Sequence, residues 1–256
     1  MTTLYVLGSG SAGNAFALSA AGQSVLIDAG FSAREIVKRA ERVGLAMDSL
    51  TGLILTHEHA DHATGAERIA RTLGIPILAS LGTWDRLRPR MPRARFTPLV
   101  LLGETTHGGF RIQACPTSHD AAEPIALRIL SPAGHWIAVA YDLGRPTAGV
   151  RFLLRDANLI ILEANHDELL LRTSGYPPSV QERIAGSGGH LSNRVAAELL
   201  REATHPALRA VVLAHLSERC NSASRATEEI LPVLAPHGVV LHVAGQHEPL
   251  RPIALD

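Results

Sequence analysis

The sequence predicts an α/β protein with two β-sheets faced by helices. Three observations carry that prediction. Short apolar strands recur in both halves of the chain, several of them meet in hairpins, and stretches of helical spacing lie between them, so each half supplies a sheet and helices to cover it. A length of 256 residues with 46% hydrophobic content suits a well-filled core. No linker, low-complexity run or clear repeat divides the sequence. The economical expectation is a single domain spanning 1–256, made of two similar halves at roughly 1–105 and 106–256.

Tyr5-Val6-Leu7, Ala15 to Leu18, Val25 to Ile27 and Leu53 to Leu55 read as short strands, with Ala21-Gly22-Gln23 as a hairpin turn. Helical spacing covers Ser32 to Val43 and Ala63 to Leu73. Ile75 to Ala79 is a further strand, and Trp84 to Pro98, rich in arginine and proline, reads as a connector. Beyond it, strands are expected at Phe110 to Ala114, Ile125 to Ile129, Trp136 to Ala140, Leu159 to Leu162 and Val211 to Ala214, with helices around Val195 to Glu202 and Ser224 to Leu234.

Lys+Arg and Asp+Glu number 24 each, so no global field announces nucleic acid or membrane, and any such contact rests on a local patch. Arg86, Arg88, Arg90, Arg93 and Arg95 crowd one connector and are a candidate for contact with a phosphate backbone, although such a run is more often a solvated face. Tyr176, in the Gly175-Tyr176-Pro177-Pro178 turn, could stack on a base or serve only the turn. Cys115 and Cys220 are too few and too far apart for a disulfide framework, which points to a reducing compartment. The start lacks the basic region and apolar core of a signal peptide, and no apolar run approaches the roughly 20 residues of a spanning helix. A soluble cytoplasmic protein with no membrane partner is expected.

Chemistry concentrates at Thr56-His57-Glu58-His59-Ala60-Asp61-His62, directly after Leu53-Ile54-Leu55. Residues two apart on an extended strand project to one side, so His57 and His59 can share a cation. The helical spacing that follows puts Asp61 and His62 near a helix N-terminus, where they could serve a second. A polar surface turn has no reason to repeat H-x-H-x-D-H behind a buried strand. Further metal-capable residues end apolar strands: His119 with Asp120, Asp142 and His215. One strand-end histidine is commonplace, but a two-metal site needs about three ligands beyond the first cluster, and these are the available supply. Gly8-Ser9-Gly10-Ser11-Ala12-Gly13 also fits a dinucleotide fingerprint, with Asp28 about twenty residues on. Against that reading, Gly22 and Gln23 split the following stretch into a hairpin rather than a long helix. The glycines then let the backbone approach an anion or the metal cleft.

Asp28, His57 to His62, His119, Asp142 and His215, in that order, resemble the ordered signature of the metallo-β-lactamase superfamily of metal hydrolases. The resemblance implies an αββα four-layer sandwich of two mixed sheets. Leu162-Glu163-Ala164-Asn165, Gly189-His190-Leu191-Ser192 and Leu213-Ala214-His215-Leu216-Ser217 look like segments of the ribonuclease Z branch. A fuller likeness is to the YycJ (WalJ) group of bacterial exonucleases, through Gly8 to Asn14, Leu26-Ile27-Asp28-Ala29-Gly30, Thr56 to His62, Ser118-His119-Asp120, Asp142-Leu143-Gly144, Glu163 to Asp167, Gly189 to Asn193 and Ala214 to Ser217. The chain departs from that pattern at Arg219-Cys220-Asn221, where an Asn-Asn pair is expected, and has no room for the inserted clamp domain of larger nuclease branches.

Carried over residue by residue, the resemblance implies that His57, His59 and His119 hold one divalent ion, that Asp61, His62 and His215 hold a second, and that Asp142 bridges them. With N and O ligands alone, zinc and manganese both remain open. Asp28 is implied to orient a ligating imidazole rather than touch metal. Asp61, His190 and Glu163 are the candidate catalytic residues, with Glu163 and His190 as a proton relay to the leaving oxygen. The implied reaction is attack by a metal-bridging hydroxide on a phosphodiester. A DNA exonuclease linked to DNA repair is the leading expectation, with 5′ to 3′ cleavage one option and DNA the expected partner. The alternative is a phosphodiesterase on small or cyclic nucleotide-like esters, favoured by the neutral charge and the missing clamp. A scaffold that keeps the fold without catalysis is a third reading, disfavoured by the complete ligand set. Oligomeric state is not legible.

Overall fold

The computed structural model describes residues 1–256. Its strands are β1 (Thr2–Gly8), β2 (Ala15–Ala20), β3 (Gln23–Ile27), β4 (Leu50–Ile54), β5 (Ile77–Ala79), β6 (Phe96–Pro98), β7 (Glu104–His107), β8 (Phe110–Pro116), β9 (Ile125–Leu130), β10 (Trp136–Ala140), β11 (Leu159–Glu163), β12 (Ala210–Ala214), β13 (Val240–Val243) and β14 (Ile253–Leu255). The helices are α1 (Ala33–Val43), α2 (Ala60–Ala63), α3 (Ala66–Leu73), α4 (Leu81–Leu87), α5 (Ala148–Leu154), α6 (Glu168–Arg172), α7 (Pro178–Ala185), α8 (Asn193–Ala203) and α9 (Ala223–Leu234). None is long and apolar enough to cross a membrane.

Two seven-stranded mixed sheets form, in the orders β14-β1-β2-β3-β4-β5-β6 and β13-β12-β11-β10-β9-β8-β7. Alternation along the strands sorts side chains between layers. Val25 and Ile27 of β3 pack into the cluster between the sheets, while Leu26 packs outward with Ile36 of α1 and Ile69 of α3. Ile137 and Val139 of β10, Leu159 and Ile161 of β11 and Val212 of β12 face the same inner cluster. Ala138, Ile160, Leu162, Val211 and Leu213 instead meet Val150 of α5, Leu199 of α8 and Ile230 of α9. The result is the expected α/β architecture of two mixed sheets faced by helices. Each fully buried Leu or Ile contributes about 1.5–3 kcal/mol relative to exposure.

The chain passes from the first sheet to the second between β6 and β7, next to the expected boundary between halves, but one strand of the first sheet comes from the far end of the sequence. β7 (Glu104–His107) straddles that boundary, and the returning strand is β14, which pairs antiparallel with β1. The helix expected over Ala63 to Leu73 is broken into α2 and α3. The cause lies in the backbone: the His62 carbonyl accepts from Ala29 N, and Gly65 N donates to the Ala29 carbonyl, which ties the intervening turn to the loop after β3. The stretch Trp84 to Pro98, expected as a connector, begins inside α4 and ends in β6. Ser80 caps α4 by accepting from Thr83 N, and Trp84 stacks on Phe96 with ring centroids 4.6 Å apart. Stacking of buried Trp84 on half-buried Phe96 outweighs the weak propensity of so short a helix.

Candidate functional site

β1 and β3 run the same way, because each is antiparallel to β2, and β3 and β4 are parallel neighbours. In the second sheet β10, β11 and β12 are parallel, and β8 shares their direction because both β8 and β10 oppose β9. Chemistry-bearing residues follow the carboxyl ends of these strands, where open α/β sheets place their sites. Asp28 follows β3, His57 follows β4, His119 follows β8, Asp142 follows β10, Glu163 ends β11 and His215 follows β12. His59 occupies the position before α2, and α2 carries Asp61 and His62.

Asp28, Asp142 and His215 share an uncommon conformation, with φ of 56°, 55° and 56°. Left-handed backbone costs a non-glycine residue roughly 1–2 kcal/mol, least for Asp, Asn and His. Such strain persists where a site requires it. Gly30 permits another close approach: a Cβ there would lie 1.7 Å from the Asp61 carbonyl oxygen.

The structure brings together every site residue named from the sequence. His57, His59 and His119 present nitrogens within 4.8 Å of one another, as do the ligand atoms of Asp61, His62 and His215. His59 Nδ1 is 3.3 Å from His119 Nε2, and Asp61 Oδ2 is 3.3 Å from His62 Nε2 and 3.2 Å from His215 Nε2. Asp142 stands between the two groups. Its Oδ2 is 3.0 Å from His62 Nε2, and its Oδ1 is 3.5 Å from His215 Nε2 and 3.9 Å from His119 Nε2. It also groups with His57 and His62, and separately with Glu163, His190 and His215.

Divalent cations fit this arrangement. His57 Nε2 and Asp142 Oδ2 are buried without a hydrogen-bond partner, a state that costs about 1–3 kcal/mol per group unless something else satisfies them. Burial, reinforced by His62, holds the His57 imidazole well below its ordinary pKa, so it is neutral and free to ligate. Burial would raise the Asp142 pKa, but His215 and His62 outweigh it and hold the carboxyl well below the usual range. Burial likewise opposes ionisation of Asp61, and hydrogen bonds from His215 and His62 overcome it. Nitrogen and oxygen donors of this kind suit zinc or manganese.

Asp28 lies one layer back. Its Oδ2 accepts from His62 Nδ1 at 2.7 Å, which leaves His62 Nε2 toward Asp61 and Asp142. His190 Nδ1 donates to Glu163 Oε1 at 2.7 Å and lies 3.3 Å from Asp142 Oδ1. Burial disfavours the His190 charge, but Glu163 and Asp142 prevail and push its pKa up to about 10. Glu163 is fixed in turn by Leu143 N at 2.8 Å and Leu191 N at 3.1 Å.

Several supporting residues carried no assigned role in the sequence. The Tyr141 hydroxyl donates to Asp28 Oδ2, Asn14 Nδ2 lies 3.2 Å from His62 Nε2, and Asn165 Nδ2 lies 3.2 Å from His215 Nδ1. Ser9 Oγ accepts from His215 N, so the glycine-serine turn after β1 braces the site; it leads into β2 and not into a helix. Asn14 and Asn165 stand in strings legible from the sequence, whereas Tyr141 shows only as a neighbour of Asp142. Asp167, also without an expected role, caps α6 by accepting from Leu169 N and Leu170 N. Of the arginine run, Arg90 donates to the Glu58 carbonyl at 3.4 Å. Tyr176 and Arg183 line the cleft of about 380 Å³ over the site, and the Arg219 guanidinium sits 4.2 Å above the Tyr176 ring. The departure from the exonuclease pattern at Arg219 thus touches the cleft wall and no ligand.

Comparison with known proteins agrees with this fold. The Beta-lactamase superfamily domain matches residues 23–216. Exodeoxyribonuclease YycJ of Bacillus anthracis is 29% identical over 236 residues, 91% of this chain and 89% of that protein. Among solved structures, the metallo-beta-lactamase fold protein YhfI of Bacillus subtilis superposes with a TM-score of 0.70 at 17% identity, covering 97% of this chain and 98% of its own. Human tRNase Z, short form, gives a TM-score of 0.63 at 18% identity over 98% of each chain. With its two mixed sheets and its histidine-aspartate cluster able to bind metal, the chain belongs to the beta-lactamase superfamily, as a hydrolase of the metallo-β-lactamase fold.

Proposed function

We propose that this protein is a dinuclear metal-dependent hydrolase that cleaves phosphodiester bonds and acts as a DNA exonuclease, folded as one domain over 1–256. The convergence of seven ligand-capable side chains on two adjoining groups that share Asp142 carries the reading. His57, His59 and His119 would hold one cation and Asp61, His62 and His215 the other, with Asp142 reaching both. Bound there, zinc or manganese would lower the pKa of a water and screen the charge that builds on the phosphoryl oxygens.

The remaining steps belong to the chain itself. Glu163 fixes the His190 ring through Nδ1, and the raised pKa keeps that imidazole protonated at neutral pH. His190 lines the cleft and is the group that hands a proton to the departing oxygen. Asp28 holds His62 at its ligating angle. The resemblance of 91% of the chain to an exodeoxyribonuclease supports DNA as substrate, in a cytoplasmic repair role.

Purified protein given manganese or zinc is assayed on single-stranded and 5′-phosphorylated DNA beside a chromogenic phosphodiester. Stepwise release of nucleotides is expected, and the labelled end that disappears first reports the direction. Hydrolysis of the chromogenic ester with DNA left intact overturns the exonuclease reading in favour of a small-ester phosphodiesterase.

A further inference from the structure

His190 lines two clefts. One is the cleft over the candidate metal centre; the other, about 390 Å³, is walled by Arg145, Arg172 and Arg194 with Glu168 as its sole acid. Glu168 is already engaged: its Oε1 accepts from Arg194 Nε and from Ser192 Oγ, each at 3.0 Å. Arg145 and Arg172 enter no salt bridge, which leaves this cleft with uncompensated positive charge in a protein of zero net charge. His166 forms part of the same wall. It is 2% exposed, and its Nδ1 is buried without a hydrogen-bond partner. The eleven-residue helix α8, capped by Ser192, begins at this wall and adds the positive end of its dipole.

Two free guanidinium groups, an unpartnered buried imidazole and a helix N-terminus together suit a phosphate, which offers several strong acceptor oxygens to planar donors. We propose that this second cleft is a phosphate subsite that receives the phosphate neighbouring the scissile one. The proposal rests on the hydrolytic reading of the adjoining centre. It deepens that reading, because a ligand that places one phosphate at the candidate metal centre and another in this cleft is a polynucleotide or similar chain rather than a single phosphodiester.

The test combines binding with kinetics on an Arg145→Ala/Arg172→Ala variant, both positions being exposed. Inorganic phosphate is titrated calorimetrically into chelator-treated protein, and metal-loaded protein is assayed on 5′-phosphorylated oligonucleotide, 5′-hydroxyl oligonucleotide and a chromogenic phosphodiester. The expected result is loss of phosphate binding, a rise of about tenfold in KM on oligonucleotide with kcat retained, and unaltered turnover of the chromogenic ester. A KM effect confined to the 5′-phosphorylated substrate identifies the terminal phosphate as occupant; an effect on both identifies an internal one. Unchanged phosphate binding, unchanged oligonucleotide KM, or equal loss on the chromogenic ester overturns the subsite. If DNA is not cleaved but phosphate binding still depends on the two arginines, the nuclease reading falls and with it the polynucleotide occupant, while the phosphate-binding cleft itself stands.

Discussion

Asp28 Oδ2 accepts from His62 Nδ1 at 2.7 Å, and both side chains are fully buried. The same oxygen accepts from the Tyr141 hydroxyl at 2.7 Å and the Thr56 hydroxyl at 2.8 Å, while Oδ1 takes Thr56 N at 2.8 Å. One carboxylate therefore ties the ends of β3, β4 and β10 together and fixes the ring on which an Asp61 and Asp142 partnership depends.

Asp28→Asn preserves shape but puts an NH2 against groups that donate. A buried donor left unpaired costs about 1–3 kcal/mol, and loss of the orienting bond lowers metal affinity about 10–100-fold. Urea denaturation of the metal-free protein and zinc titration read the two effects separately. Wild-type affinity in the variant would show that the ring is held by something else.

Asp142→Ala removes the carboxylate that reaches both ligand groups. Turnover is expected to vanish, and metal content, measured by elemental analysis of the purified variant, to drop. Undiminished metal occupancy would count against the shared position of Asp142, whatever the activity.

Glu163 and His190 form a separable pair, since neither belongs to the two triads. His190→Ala should retain metal and slow cleavage by about 10²–10⁴-fold, the range of a positioned general acid. Glu163→Gln should do the same less severely, because Leu143 N and Leu191 N still hold one of its oxygens while His190 loses its charged partner. Rapid-quench kinetics checks both, and near-normal rates in His190→Ala would remove it from proton transfer.

These residues were unevenly legible in the sequence. His57 to His62 are contiguous, so their proximity is legible, but β4 ends at Ile54 and His57 and His59 lie in the loop before α2 rather than on the expected extended strand, so the turn and not strand periodicity brings them together. His119, Asp142 and His215 are recognisable because each ends an apolar run, and parallel strands carry such ends to one edge of the molecule. Glu163 and His190 are isolated in sequence and drew meaning only from the motif strings around them. Tyr141, Asn14 and Asn165 act through distances of about 3 Å that no periodicity encodes. The fold shows the same division. Strands buried on both faces read as apolar runs, whereas β7, β13 and β14, with polar or exposed positions and edge or near-edge pairing, left too little pattern to find. The break between α2 and α3 depends on hydrogen bonds to Ala29, remote in sequence, and so defeats a local reading.

Metal uptake should release protons. Burial opposes charge on His62, yet Asp142 and Asp28 outweigh it and raise its pKa well above the ordinary value, so the metal-free ring is protonated at neutral pH. With Nδ1 committed to Asp28, a cation arriving at Nε2 must displace that proton. Apparent affinity therefore rises with pH until His62 deprotonates unaided, and calorimetric heats at pH 7 should vary with the ionisation enthalpy of the buffer. Chelation reverses the gain: at a free metal concentration of about 1,000 Kd the bound state is stabilised by about 4 kcal/mol, which at roughly 2–4 °C per kcal/mol for a chain of this size corresponds to a drop of about 8–16 °C in Tm on metal removal. Heats independent of buffer, or a Tm unmoved by chelator, would contradict the assignment of His62 as a ligand through Nε2.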